Sequence, residues 1–127
     1  MNESLDVIYS YSRSEAIEDG VLIDITDLAK EAGFRYPVAV SANLYHNVLT
    51  PAPSLIPQGQ SLEGRIWDML NVLRASIKPN QDTLSIIFAP IFTMAPDMPP
   101  TAISIISAVG PGDNLEPVLT IFLPEDD

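Results

Sequence analysis

Apolar positions recur along this chain with two different periods, and the change of period divides it. Leu62, Ile66, Met69, Leu70, Leu73 and Ile77 fall at helical spacing and form one continuous stripe. The spacing predicts a helix over Leu62–Ile77, with Ser61 as its N-cap. Glu63 complements the positive end, Arg74 and Lys78 complement the negative end, and Pro79 stops the helix. Trp67 borders the stripe and is expected to seal the edge of the core. Beyond it, Thr83–Thr93, Thr101–Val109 and Val118–Leu123 are rich in Ile, Phe, Val and Thr and read as strands. Pro90 cannot donate to a ladder, so the first of these runs lies at a sheet edge or is split at a bulge. Ala95–Pro100 is a proline-rich turn, and Gly110–Glu116 closes a hairpin in which Pro111-Gly112 suits a type II turn. These features predict an antiparallel meander with Thr101–Val109 at its centre and the long helix on one face. Glu125, Asp126 and Asp127 read as a solvated acidic tail.

The N-terminal half is punctuated rather than periodic. Asp6–Ser10 has the β-branched and aromatic content of a short strand. Ser12-Arg13-Ser14-Glu15 fits a capping box for a helix of about two turns, which Asp19-Gly20 stops. Val21–Ile25 reads as a short buried extended segment. Thr26 or Asp27 can cap a second short helix, Leu28–Ala32, ended by Gly33. Phe34-Arg35-Tyr36-Pro37 must be non-helical, because the residue before a proline is pushed towards extended geometry. Val38-Ala39-Val40 continues that extension, and Ser41 caps a helix over Ala42–Leu49. Thr50–Gln60 holds three prolines and a glycine and is expected to contain no regular element. The predicted fold is therefore α+β, with short helices and strands in the N-terminal half and one long amphipathic helix on a C-terminal antiparallel meander. A chain of 127 residues is the size of one domain, so residues 1–127 are expected to form a single unit.

Composition narrows the chemistry. There are no cysteines, which excludes disulfides and thiolate metal sites. Glu3 and Asp6 replace the basic start of a signal peptide, and no run reaches the 18 or so apolar residues of a membrane helix. A cytoplasmic protein that does not engage membranes is expected. Seventeen acidic residues against six basic ones give a net charge of −11, which disfavours direct nucleic acid binding and favours a basic protein surface as partner. The same acidity also serves solubility alone.

His46 is the only histidine, so a histidine metal cluster cannot be built. A serine triad would depend on that one side chain, and no G-x-S-x-G elbow, P-loop or dinucleotide fingerprint is present. Carboxylates are plentiful, yet Asp24 with Asp27 and Glu18 with Asp19 do not follow calcium-loop spacing. No metal or cofactor is predicted, and catalysis is the less favoured reading. Asp113 and Asn114 are expected to help bend the hairpin turn.

One cluster stands out. Arg13 lies beside Tyr9 and Tyr11, and Arg35 beside Phe34 and Tyr36. Arginine with aromatic neighbours suits a carboxylate, a phosphate or a base, by bidentate pairing and stacking. With Asp19 and Asp24 as acidic companions, Tyr9, Tyr11, Arg13, Asp19, Asp24, Arg35 and Tyr36 form the candidate binding set. The structural alternative is that Arg13 and Arg35 pair with Glu18, Asp19, Asp24 or Glu31 and hold the short helices together.

The runs Ile8–Arg13, Ala16–Asp24, Glu31–Ala39, Gly110–Asp113 and Glu116–Pro124, with Trp67-Asp68, resemble a small uncharacterised family of bacterial proteins encoded on plasmids, phages and other mobile elements. The likeness is weakest at Thr50–Gln60 and Thr83–Thr93, and the tryptophan the family tends to place near Tyr45 is missing. The resemblance implies a genomic setting and no activity. Three functions follow as expectations: a non-catalytic accessory or protein-binding factor of a mobile element, a small-ligand or nucleotide site on the Arg13/Arg35/tyrosine cluster, and a homo-oligomer using the edge near Pro90 or the Leu55-Ile56 loop. Oligomeric state is not determined by the sequence.

Overall fold

The computed structural model of this chain describes residues 12–77 and 84–126. The expected strand Asp6–Ser10, along with Tyr9, Tyr11, Lys78 and Pro79, lies outside them. The element order is α1 (Arg13–Glu18), β1 (Leu22–Asp24), α2 (Thr26–Glu31), β2 (Val38–Ser41) and α3 (Ala42–Leu44). A π-helical turn (Tyr45–Leu49) and a 3-10 turn (Pro53–Gln58) lead to the long helix α4 (Leu62–Ser76). Then follow β3 (Ser85–Phe88), β4 (Ile91–Phe92), β5 (Thr101–Ala102), β6 (Ile105–Pro111), β7 (Pro117–Phe122) and a 3-10 turn (Pro124–Asp126). This is the α+β fold that the change of hydrophobic period predicts.

Local chemistry sets most of the boundaries. The Ser12 hydroxyl accepts from the Glu15 amide at 3.1 Å and donates to the Glu15 carboxylate at 3.0 Å. The serine half of the expected capping box therefore forms, while the carboxylate meets a hydroxyl instead of a backbone amide. Ser41 and Ser61 likewise accept from the amides of Leu44 and Gly64. Gly20 ends α1 at φ +78°, and Gly33 follows α2 at φ +98°, where a side chain would be strained. α2 departs from expectation at its start. It begins at Thr26, and its acceptor is neither Thr26 nor Asp27 but Asp24 in β1, which takes the Thr26 amide at 3.0 Å.

The sheet joins the two halves of the chain. Its five strands run β1-β2-β7-β6-β3. The C-terminal meander β3-β6-β7 is antiparallel with β6 central, but the strand expected over Thr101–Val109 is divided: Thr101–Ala102 pairs in the other sheet as β5. β2 then pairs parallel with β7, Val38 opposite Leu119 and Val40 opposite Ile121, and β1 completes the far edge. β3 is the other edge, and the run containing Pro90 is split there: β4 leaves to pair with β5 as a separate ribbon. Pro90 itself is buried, while Ile87 and Ile91 remain exposed.

One face of the sheet holds the main core. Val38, Val40, Leu119 and Ile121 pack there with Ile66, Met69, Leu70 and Leu73 of α4 and with Ala29 of α2. The opposite face carries a smaller cluster in which Ala16 of α1 sits over Leu22 and Ala39. Ile77 caps α4 in extended geometry and is 47% exposed, so the stripe ends at the surface.

Four expectations are corrected. Ala42–Leu49 is only briefly α-helical before it widens into the π turn. Thr50–Gln60 does contain a regular element, because proline is tolerated at the start of the tight Pro53–Gln58 turn, and it buries Leu55 while leaving Ile56 exposed. The hairpin bends at Gly112–Leu115 rather than Pro111-Gly112: Pro111 belongs to β6, Leu115 carries the positive φ of +65°, and its amide reaches the Gly112 carbonyl at 3.0 Å. Of the acidic residues expected as a solvated tail, Glu125 is exposed and Asp127 lies outside the described residues, but Asp126 departs from expectation. Asp126 is buried and hydrogen-bonded.

Candidate functional site

Arg35 and Tyr36 follow Gly33 in the extended exit from α2, and both are exposed. They line a cleft of about 470 Å³ with Gly33, Phe34, Arg74, Ile77, Ile86, Val109 and Leu119. Its floor is the open end of the main core: Val109 and Leu119 are paired across β6 and β7, and Ile86 comes from the edge strand β3. Two of the four arginines of the chain meet in this cleft, and no carboxylate lines it among the described residues.

Gly33 and Arg74 are fitted to each other. Arg74 Nη1 donates to the Ala32 carbonyl at 2.8 Å, satisfying an orphan acceptor at the end of α2. A Cβ on Gly33 would stand 2.8 Å from that nitrogen and push the guanidinium aside, and the φ of +98° there itself favours glycine. One N–H of the Arg74 fork is thereby committed; its other donors make no hydrogen bond among the described residues, and the residue is exposed. Arg35 makes no hydrogen bond or ion pair among the described residues, so the carboxylate pairing that would have made it scaffolding is not formed there.

Arg13 occupies a different place. Its Nη1 donates to Thr120 Oγ1 at 3.0 Å and its Nη2 to the Leu119 carbonyl at 2.8 Å. Side chains alternate along a strand, so Thr120 faces α1 while Leu119 faces the cleft. The two sequence-selected arginines therefore approach β7 from opposite faces, and Arg13 does not line the cleft. Asp19 is exposed at the end of α1, and Asp24 is exposed on β1 and occupied with Thr26. Neither lines the cleft.

The α1 end has an electrostatic partner that the sequence hid. Asp113, from the hairpin turn, accepts from the amides of Arg13 at 2.6 Å and Ser14 at 3.0 Å. It thus caps α1 from 100 residues away instead of only bending its own turn. The Arg13 amide, then the Ser14 amide, hold its carboxyl below the usual range near pH 4. Because the folded pKa is depressed, this contribution to stability is present above the ordinary aspartate value and is lost as pH falls through the lowered one. Asp113→Asn is expected to flatten the acid limb of the stability profile below about pH 4, checked by urea titrations of both proteins across that range.

A second cleft, of about 330 Å³, lies between α2, the π turn and α4, lined by Asp24, Asp27, Tyr45 and Glu63 over Ile23 and Ile66. Among the described residues no group of three potential ligands could hold a metal ion. His46 is exposed and packs edge-on against Tyr45 with ring centroids 5.1 Å apart.

All 127 residues match the model of a family described as a family of unknown function, DUF6573. The chain belongs to that family. No curated protein and no solved structure matches it. For this DUF6573 member the geometry of its own residues therefore carries the functional reading. Among the described residues no helix is long and apolar enough to cross a membrane.

Arg74 and Arg65 are the residues that the apolar pattern concealed. Arg74 lies four residues after Leu70 and three before Ile77, beside the stripe. Arg65 lies three after Leu62 and four before Met69. A charge inside a helical stripe is the available signal for both.

Proposed function

We propose that this protein is a non-catalytic binding factor whose site is the Arg35–Arg74 cleft, and that its ligand or partner presents an anionic group beside apolar surface. The observation that carries this is the pairing of two guanidinium groups over an apolar floor, with no lining carboxylate among the described residues, in a chain of net charge −11. Elsewhere the field of such a chain repels anions; in this cleft two cations with no lining carboxylate among the described residues oppose it locally. Of the lining side chains described, only the Tyr36 hydroxyl could serve as nucleophile or general acid–base, which favours binding over catalysis. The accessory role expected from the acidity, the scarcity of catalytic groups and the genomic setting of similar proteins is compatible with such a site.

The test is a titration with anilinonaphthalene sulfonate, an apolar anion that fluoresces when its rings leave water. The wild type is expected to bind it with a salt-dependent affinity. Arg35→Glu is expected to weaken binding by about tenfold or more, as loss of a charge-assisted contact worth about 1.5–3 kcal/mol requires. Equal binding by the two proteins, with unchanged urea stability, would sink the proposal.

A further inference from the structure

We infer that the ligand of this cleft is an apolar carboxylic acid, an acyl or aryl acid with one charged end, rather than a nucleotide. The inference rests on the binding role proposed for Arg35 and Arg74 and narrows the chemistry that site accepts.

The cleft combines two unlike kinds of lining. Of its two arginines, Arg74 is held by the Ala32 carbonyl with its guanidinium close to Gly33, and Arg35 stands without a partner among the described residues. A guanidinium fork held at one nitrogen still offers paired donors that match a planar carboxylate, which accepts two parallel N–H bonds. Around the two arginines Ile77, Ile86, Val109 and Leu119 supply branched aliphatic surface, and Phe34 supplies a ring. Ile77 is 47% exposed at a helix end, so it gains from being covered. A volume of about 470 Å³ falls in the range of small-molecule sites and holds a chain of several carbons or a substituted ring.

A nucleotide fits the cations but not the rest. Its base carries ring nitrogens and exocyclic groups that need hydrogen-bond partners once out of water. Among the described residues, the lining side chains include no carboxylate, amide, serine or threonine to meet them. Phe34 and Tyr36 could stack on a base, yet its edge would lie against isoleucine, valine and leucine. An aliphatic or aryl group leaves nothing unsatisfied there.

Competition against bound anilinonaphthalene sulfonate separates these ligands. Decanoate and phenylpropionate are expected to displace the dye from the wild type at concentrations about tenfold or more below those needed for AMP or inorganic phosphate. Decanol, which lacks the charge, is expected to displace it poorly. Ile77→Ser is expected to weaken decanoate several-fold and to leave AMP unchanged. AMP displacing the dye as well as decanoate does, with both effects lost in Arg35→Glu, would overturn the carboxylic acid assignment and keep the cleft as the binding site. Displacement by every probe unaffected by Arg35→Glu would overturn both.

Discussion

Arg65→Ala is expected to cost about 3–5 kcal/mol, a large share of the about 5–15 kcal/mol that holds a domain folded. Arg65 is only 2% exposed, yet it sits on the long helix among apolar neighbours. Its guanidinium replaces several missing partners at once. Nε and Nη2 donate to the Val48 carbonyl at 3.2 and 2.7 Å, and Nη1 donates to the Thr93 carbonyl at 2.8 Å and reaches Gln60 Oε1 at 3.4 Å. Val48 lies in the widened π turn, whose last carbonyls have no helical partner. Thr93 follows β4, where the short ribbon with β5 has ended. The Phe92 ring packs 4.7 Å from the guanidinium carbon and adds a cation–π contact. Burial pushes the Arg65 pKa below the ordinary arginine value, and Asp68 opposes the shift. The group stays charged and works as a fixed donor.

Removing it strands buried carbonyl oxygens and opens a cavity. Arg65→Met restores much of the volume but not the donors, and is expected to remain destabilised by about 2–3 kcal/mol. Arg65→Lys keeps the charge, but one ammonium cannot reproduce the flat fork that spans Val48 and Thr93. Urea unfolding checks all three, with the midpoint for Arg65→Ala expected to fall by about 1–3 M. An Arg65→Met protein within about 1 kcal/mol of the wild type would show that the hydrogen bonds are dispensable.

Asp126→Ala is the second large effect, expected at about 2–4 kcal/mol. The buried carboxylate accepts from Ser41 Oγ at 2.7 Å, from Asn43 Nδ2 at 3.1 Å and from the Leu123 amide at 3.0 Å. Ser41 is the pivot: its oxygen accepts from the Leu44 amide at 3.1 Å while its proton goes to Asp126. The C-terminal turn thereby fastens the end of β2 to the start of α3. Without the carboxylate, the Leu123 and Asn43 donors face a gap and the Ser41 hydroxyl loses its orientation. Asp126→Asn keeps one acceptor oxygen but sets its amide against other donors, so about half the loss is expected to return. Amide exchange gives the local readout. Leu44 is expected to lose protection in Asp126→Ala well before the α4 interior does. Unchanged exchange at Leu44 would separate Asp126 from the cap.

The residues predicted as a site divide in an instructive way. Arg35 and Tyr36 line the cleft together, with the chain bending at Tyr36 in the connection between α2 and β2, and their adjacency is visible in the chain. Arg13 looked equivalent, with aromatic residues beside it and the same charge. It is turned to the opposite face by the packing of Ala16 on Leu22 and Ala39, which sets the orientation of α1 on the sheet. Arg74, which takes its place in the cleft, read as an ordinary complement to the end of its own helix. Its guanidinium instead reaches the Ala32 carbonyl, 42 residues away, and no local pattern encodes that distance.

What the sequence by itself determined is where elements start and stop. Ser12, Ser41 and Ser61 accept amides within three residues of themselves, Gly20 and Gly33 provide the backbone angles that end short helices, and the α4 stripe names its own core face. Each of these is a contact or a torsion within one turn of chain, so the residues involved carry the whole signal. The parallel pairing of β2 with β7, the burial of Arg65 and Asp126, and the meeting of Arg35 with Arg74 were decided by tertiary structure. A charged side chain is stable in the interior only when distant backbone groups happen to need its donors or acceptors. Those needs arise where the π turn ends, where the β4–β5 ribbon stops and where β2 gives way to α3, and they exist only once the chain has folded.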